Sequence, residues 1–345
     1  MTDSKVVATT FLHSVKVNNI NGGGNAVVVS EILHKEDGSQ TPNLRRIVRP
    51  KRSFWITKPQ FRNHDEKKVI EKMDRLEQWR VLDSEMDNEI FRALNGYYPR
   101  GRVRSQNLYE SPYLYGANID IQSLIKSSSI KQRTKANVDM GVPTVGFLDI
   151  ERSIDMMTRD EITIISVTHE NKVYTAINKA FFYTMDEHGN RSEGNVEALA
   201  KFSRRTLDPL VDRMFEENEY LPAHRHKLPI EYNYFVGYEL DCIKWIFEQI
   251  HRNKTSFVGI WNMDYDIPAI VQALQKHNVD PKDVFCPKEL PDDYKYFRYA
   301  RDEKPVGHPS EKWHWLYCAG YTQFSDAMSL YAKFRTVKGK ESSLA

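Results

Sequence analysis

Two acids one residue apart, Asp149 and Glu151, close the segment Val145-Gly146-Phe147-Leu148-Asp149-Ile150-Glu151. The apolar run before them reads as a buried strand. In a strand, residues i and i+2 project to the same side. The two carboxylates therefore leave the end of a core strand together. Burying an unpaired charge is costly, and a cation is the usual compensation. The hard ions Mg²⁺ and Mn²⁺ match carboxylate oxygens. In a loop or a helix the same pair would be solvated surface, so this chemistry depends on the strand.

A second acidic position lies in Val258-Gly259-Ile260-Trp261-Asn262-Met263-Asp264-Tyr265-Asp266-Ile267-Pro268. Here a buried strand ends and Asn262 starts a turn. Asp266 falls at the start of a helix, with Pro268 where a first-turn proline is tolerated. As a simple N-cap, Asp266 would be ordinary. As a ligand it would join Asp149 and Glu151, because both sites lie at the C-terminal ends of core strands, where α/β sheets bind ligands.

The elements that must position these acids follow from periodicity. Residues 5–60 read as short strands, among them Val6–Leu12, Asn25–Ser30 and Lys51–Thr57, with turns at 21–24 and Asp37-Gly38. From 65 to 95 the pattern is charged and helical, with Val69, Ile70, Met73, Leu76 and Trp79 near a helical period. A short helix is expected at Ile119–Ser127, and Ser127-Ser128-Ser129 with the polar stretch after it reads as a linker. After about residue 141 a meander is expected: Val145–Asp149, Ile162–Thr168 and Val173–Ile177. A long helix at Glu239–His251, a strand at Ser256–Ile260 and a helix near Ile267 follow. This order predicts two domains, an α+β N-terminal domain over 1–140 and an α/β domain with a mixed sheet over 141–345.

At 345 residues the chain can build two cores, and its 40% hydrophobic and 28% charged content is that of an ordinary globular protein. The formal net charge of +2 provides no global basic field for nucleic acid. Local clusters remain. Arg45 and Arg46 lie in one, near Phe54 and Trp55; Arg102 and Arg104 lie in another, near Tyr97 and Tyr98. Such clusters hold phosphates or form a solvated face. Cys242, Cys286 and Cys318 have no paired spacing, which points to a reducing compartment. A zinc site from Cys286, His308, His314 and Cys318 matches no standard spacing. No secretory leader is apparent and no apolar run reaches the ~18 residues of a membrane span, so a cytoplasmic protein with no membrane partner is expected.

The segment Phe147-Leu148-Asp149-Ile150-Glu151 resembles the first motif of the proofreading 3′→5′ exonuclease domain of family B DNA polymerases. Trp261-Asn262 through Tyr265-Asp266-Ile267-Pro268 resembles the second, at a separation of the size those enzymes show. Phe324-Ser325-Asp326 through Phe334 resembles the strand and segment after that motif. Phe54–His64 and Tyr113–Asp120 resemble the N-terminal domain of phage-type replicative polymerases. The resemblance covers essentially the whole chain.

It implies a ribonuclease H-like fold after residue 141. It also implies that Asp149, Glu151 and Asp266 bind two divalent ions, Mg²⁺ or Mn²⁺, for in-line hydrolysis at the 3′ end of a DNA primer. Phe147, Asn262 and Tyr265 would contact the single-stranded end, although core packing explains the two rings equally well. The family's third motif, with a Tyr and a final Asp on a helix, and its polymerising domains would lie beyond Ala345. Asp326 precedes that motif and is expected to be structural. The chain alone is therefore expected to have no polymerase activity and weak or no exonuclease activity, and to need a second polypeptide supplying the last carboxylate. An alternative is a nucleic-acid-binding or docking subunit, acting on DNA or RNA, with an inactive nuclease fold.

Overall fold

In the computed structural model the described residues are 4–68, 71–101, 105–155, 158, 160–217, 229–301 and 313–336. They divide into two compact units, Met1–Gly141 with Asp292–Tyr294, and the remainder.

The first unit opens with β1 (Val6–Asn18), β2 (Asn25–Lys35) and β3 (Gln40–Val48), an antiparallel sheet with β2 in the centre. The β1–β2 turn needs its glycines: Gly22, Gly23 and Gly24 all have φ between +81° and +87°. Pro42 is tolerated because β3 is an edge strand. A second sheet joins β4 (Lys51–Thr57), β5 (Leu76–Leu82) and, after α1 (Met86–Asn95) and α2 (Ser105–Tyr109), β6 (Leu114–Tyr115). Phe54, Ile56, Ile90 and Leu114 form its core.

Two expectations are corrected in this unit. Leu76 and Trp79 lie in strand β5, not in a helix. Their spacing of three fits a helix by coincidence. The antiparallel register sets Trp79 opposite Phe54, and the two rings stack at 6.0 Å, so cross-strand pairing decides the structure. The helical stretch begins only at Met86, and Val69 and Ile70 lie outside the described residues. The serine run is not a linker either: α3 (Ile121–Ala136) passes straight through it. Asp120 caps α3 by accepting from the Ser123 N–H at 2.6 Å. Buried Ser129 donates to the Thr9 carbonyl at 2.7 Å and accepts from the Phe11 N–H at 3.2 Å, beside the β1 bulge between Phe11 and His13. The hydroxyl thus satisfies two backbone groups of β1, an edge strand of its sheet.

The second unit is built on β7 (Val145–Arg152), β8 (Ile162–His169) and β9 (Lys172–Asn178), a meander. The small hairpin β10 (Tyr183–Met185) and β11 (Arg191–Glu193) follows, then α4 (Val196–Glu217), β12 (Glu231–Gly237), α5 (Glu239–Asn253), β13 (Phe257–Ile260) and α6 (Met263–Lys276). Short α7 (Lys282–Phe285) leads to β14 (Phe297–Ala300), β15 (Trp315–Cys318), β16 (Gln323–Asp326) and α8 (Ala327–Thr336).

The principal sheet has six strands in the order β12-β9-β8-β7-β13-β16. It is mixed: β7, β8 and β9 are antiparallel, whereas β7–β13, β13–β16 and β9–β12 are parallel. One face buries Leu148, Ile150, Ile165, Val167, Val258 and Ile260 with α5 residues such as Ile243, Ile246 and Phe247. The protein is therefore of mixed α/β class. Among the described residues no helix is long and apolar enough to cross a membrane.

Candidate functional site: an acidic cluster at the end of two parallel strands

Strand β7 alternates strictly, with Gly146, Leu148 and Ile150 buried and Phe147, Asp149 and Glu151 exposed on the other face. The two acids are thus side by side on the open face, across from Ser166 and Ile164 of β8. Gly146 permits the close approach of β8: a Cβ there would stand 2.1 Å from the Thr168 carbonyl oxygen. The Thr168 hydroxyl oxygen accepts from the Phe147 N–H at 2.9 Å.

The parallel register pairs Phe257 with Val145 and Ile260 with Leu148, where β13 stops. β7 runs four residues further, flanked on that side by the chain leaving β13 for α6. This geometry sets the first turn of α6 beside the end of β7. Asn262 holds the N-cap position, and its carbonyl accepts from the N–H groups of Tyr265 and Asp266 at 2.9 Å. Asp266 is therefore not the cap. It lies one turn in and is only 2% exposed. Pro268 is in the helix interior rather than the first turn, so α6 forgoes the bond its N–H would make to the Asp264 carbonyl.

The Asp266 carboxyl is pushed up to about 7, first by burial and then by the charge of Asp149 and, more weakly, Glu151. A hydrogen bond from the Asn262 backbone opposes the rise. Among the described residues its Oδ2 has no hydrogen-bond partner. The three acids therefore share one electrostatic neighbourhood. A buried carboxylate oxygen without a donor, facing two further carboxylates, has the donor chemistry of a hard divalent ion. Among the described residues no group of three or more His, Cys, Asp or Glu side chains is placed to hold a metal ion.

Several neighbours carry no signal in the sequence. The Arg152 guanidinium lies 5.4 Å from the Tyr265 ring centroid and pairs with Asp160 at 2.7 Å. Asp264, two residues before Asp266, is paired with Arg301 and lies 3.8 Å from His314. Burial works to raise the Asp264 carboxyl, yet the Arg301 hydrogen bond and the charges of His314 and Arg301 hold it below its ordinary value. Tyr299 stacks on His314 and completes this group, with its hydroxyl 3.3 Å from His314 Nδ1. Trp261 packs on Tyr331 of α8 at 5.6 Å. Phe147 is 58% exposed, and its ring lies over Gly259, where a Cβ would meet it at 2.9 Å. Phe147, Asn262 and Tyr265 are thus all exposed residues of the strand and helix that carry the acids.

Asp326 ends β16 and caps α8: its Oδ1 accepts from the Ser329 N–H at 2.9 Å and its Oδ2 from the Ser329 hydroxyl at 2.8 Å. The Cys286 thiol donates to Tyr296 and that of Cys318 to Thr322, and burial pushes both thiols up. His308 of the considered zinc set lies outside the described residues.

The remaining candidates belong to the first unit. Arg45 donates through Nε and Nη2 to buried Glu31, both at 2.9 Å. Arg46 lies over the Tyr294 ring at 5.1 Å. Arg102 and Arg104 lie outside the described residues.

No protein-family model matches the chain, and no curated protein matches it. Fold and site together define a mixed α/β protein with three carboxylates gathered at the C-terminal edge of two adjacent parallel strands.

Proposed function

We propose that the second unit is a ribonuclease H-like 3′→5′ exonuclease domain, and that the chain is the N-terminal portion of a phage-type family B replicative DNA polymerase. The observation that carries this reading is Asp266, a buried carboxylate with an unpartnered oxygen set against Asp149 and Glu151. The mixed sheet, with a meander followed by parallel crossovers, agrees with it.

The substrate is the single-stranded 3′ end of DNA. Asp149, Glu151 and Asp266 would hold two Mg²⁺ or Mn²⁺ ions. When bound, such a pair activates water and stabilises the leaving 3′ oxygen. The side chains do the rest. Asp149 and Glu151 would contribute the exposed carboxylates of that set. Asp266 would join them in its ionised form, which nearby positive charge favours against the burial and the acidic neighbours that raise its carboxyl. Phe147 and Tyr265 stack the terminal bases without reading sequence, and Asn262 offers a polar contact beside them. The resemblance calls for one more carboxylate, from that family's third motif.

The test is digestion of a labelled single-stranded oligonucleotide with Mg²⁺ or Mn²⁺, by the chain alone and with the polypeptide encoded downstream. Release of 3′ mononucleotides that is lost in Asp149→Ala supports the reading. An inactive combined sample, or activity unchanged by Asp149→Ala, sinks it. Salt-dependent DNA binding without hydrolysis would favour a binding or docking subunit instead.

A further inference from the structure

Outside the acidic cluster, β15 presents an aromatic ladder. Trp315 and Tyr317 alternate with buried Leu316 and Cys318, and Trp313 precedes them at the same two-residue spacing. The rings of Trp313 and Trp315 stack at 5.9 Å and 24°, and those of Trp315 and Tyr317 at 6.4 Å and 8°. Large rings packed against each other usually face a core. These do not: Trp315 is 48% and Tyr317 42% exposed. The antiparallel register sets Arg298 opposite Tyr317 and Ala300 opposite Trp315, so both lie on the ladder's face. Lys333 of α8 lies 5.3 Å from the Trp313 ring centroid. The face therefore joins three rings in a row with a cation at each end.

We propose that this face is a stacking platform for single-stranded nucleic acid, separate from the three carboxylates. The rings are spaced at 5.9 and 6.4 Å, a little under two nucleotide steps of ~3.4 Å each, so each ring would serve about every second base. Bases stack on aromatic faces whatever their sequence, and phosphates pair with flanking cations. The ladder's outward β14 and β15 positions (Arg298, Ala300, Trp315 and Tyr317) include no acid that would repel a phosphate. A neutral proline-rich peptide could also use the rings but would have no use for Arg298 and Lys333. The platform does not depend on the nuclease reading.

The test is anisotropy of fluorescent oligo-dT and oligo-rU, with the full chain carrying Asp149→Ala, in EDTA and at two salt concentrations. Tight binding of either oligonucleotide that weakens with salt is expected, and the tighter of the two identifies the nucleic acid. Replacing either Trp315 or Tyr317 by Ala should weaken binding on the order of tenfold. Arg298→Glu should weaken it and flatten its loss with salt, whereas Arg298→Lys should restore it. All three substituted positions are exposed, and an unchanged thermal midpoint checks that the variants fold. Unchanged affinity in the Trp315→Ala, Tyr317→Ala double variant overturns the proposal, as does a proline-rich peptide that competes fully and binds more tightly. Oligonucleotide binding intact beside nuclease activity that Asp149→Ala leaves unchanged would count against the exonuclease reading alone.

Discussion

Leu148 pairs with Ile260 at the point where β13 ends, and β7 continues past it. That one register position explains the acidic cluster. Had the strands ended together, Asp149 and Glu151 would have had a strand neighbour rather than the turn into α6. Because β13 stops short, the first turn of α6 approaches the overhang, and the helix carries Asp266 into reach of both acids.

The raised carboxyl of Asp266 makes stability depend on pH. Its value of about 7 in the folded chain lies above the ordinary 3.8. Between these values the folded state holds more protons than the unfolded one, so stability falls as pH rises from about 4 to 7 and levels off above. The loss in the absence of divalent ions amounts to as much as about 4 kcal/mol. Asp266→Asn is expected to remove this slope and to be the more stable protein at pH 8. Urea unfolding in EDTA at pH 5 and pH 8 checks it; parallel pH dependence of wild type and variant contradicts it.

The same acid predicts a proton count. Binding of Mn²⁺ or Mg²⁺ at pH 6.5 should release protons, because Asp266 must ionise. Calorimetric titration in two buffers of different ionisation enthalpy measures the release. It should shrink by pH 8.5 and disappear in Asp266→Asn. Equal release in the variant would place the proton elsewhere.

Gly146→Ala should be severe although it adds one methyl group. The new Cβ would stand 2.1 Å from the backbone oxygen of Thr168, which no side-chain rotation relieves. A cost of about 3 kcal/mol is expected, read as a lower denaturation midpoint, with β7 and its acids displaced. A midpoint within error of wild type would mean that β8 gives way freely.

Arg45 and Arg46 should differ despite being neighbours. Removing the Arg45 side chain leaves the Glu31 carboxylate, 2% exposed, with the Asn43 amide at 2.9 Å as its remaining partner among the described residues. Arg45→Ala should cost about 3 kcal/mol. Arg46→Ala loses a contact with Tyr294 and should cost under about 1 kcal/mol. Phosphate binding is better tested at Arg46, since the charge of Arg45 is already compensated. Equal stabilities of the two variants would refute this distinction.

Ser129→Ala should destabilise by about 1–2 kcal/mol, because the Thr9 carbonyl and Phe11 N–H both lose their side-chain partner. Ser128→Ala, without these bonds, is the control for helix propensity, and thermal unfolding of the pair is the measurement.

Much of the second unit was legible in the sequence. The two-residue spacing of Asp149 and Glu151 determined that both acids share one face of a strand, because side-chain direction in a strand is local geometry, whereas Val145 and Phe147 of the run read as buried are exposed on that face. The amphipathic spacing from Leu240 to Ile250 likewise determined α5. Local rules misplaced what distant partners decide. Trp79 looked helical until Phe54 paired with it across two strands, and the serine run looked like a linker until Thr9 supplied a bond for Ser129. Asp266 could be read as an ordinary cap, since nothing within its own helix distinguishes a cap from a buried acid. Only the parallel register of β7 and β13 sets it against Asp149 and Glu151, and only burial in that setting holds its proton near neutral pH. Sequence fixes which chemical groups are available and which way each one points along its own element. Tertiary structure decides which of them meet, because pairing and desolvation act between residues far apart in the chain.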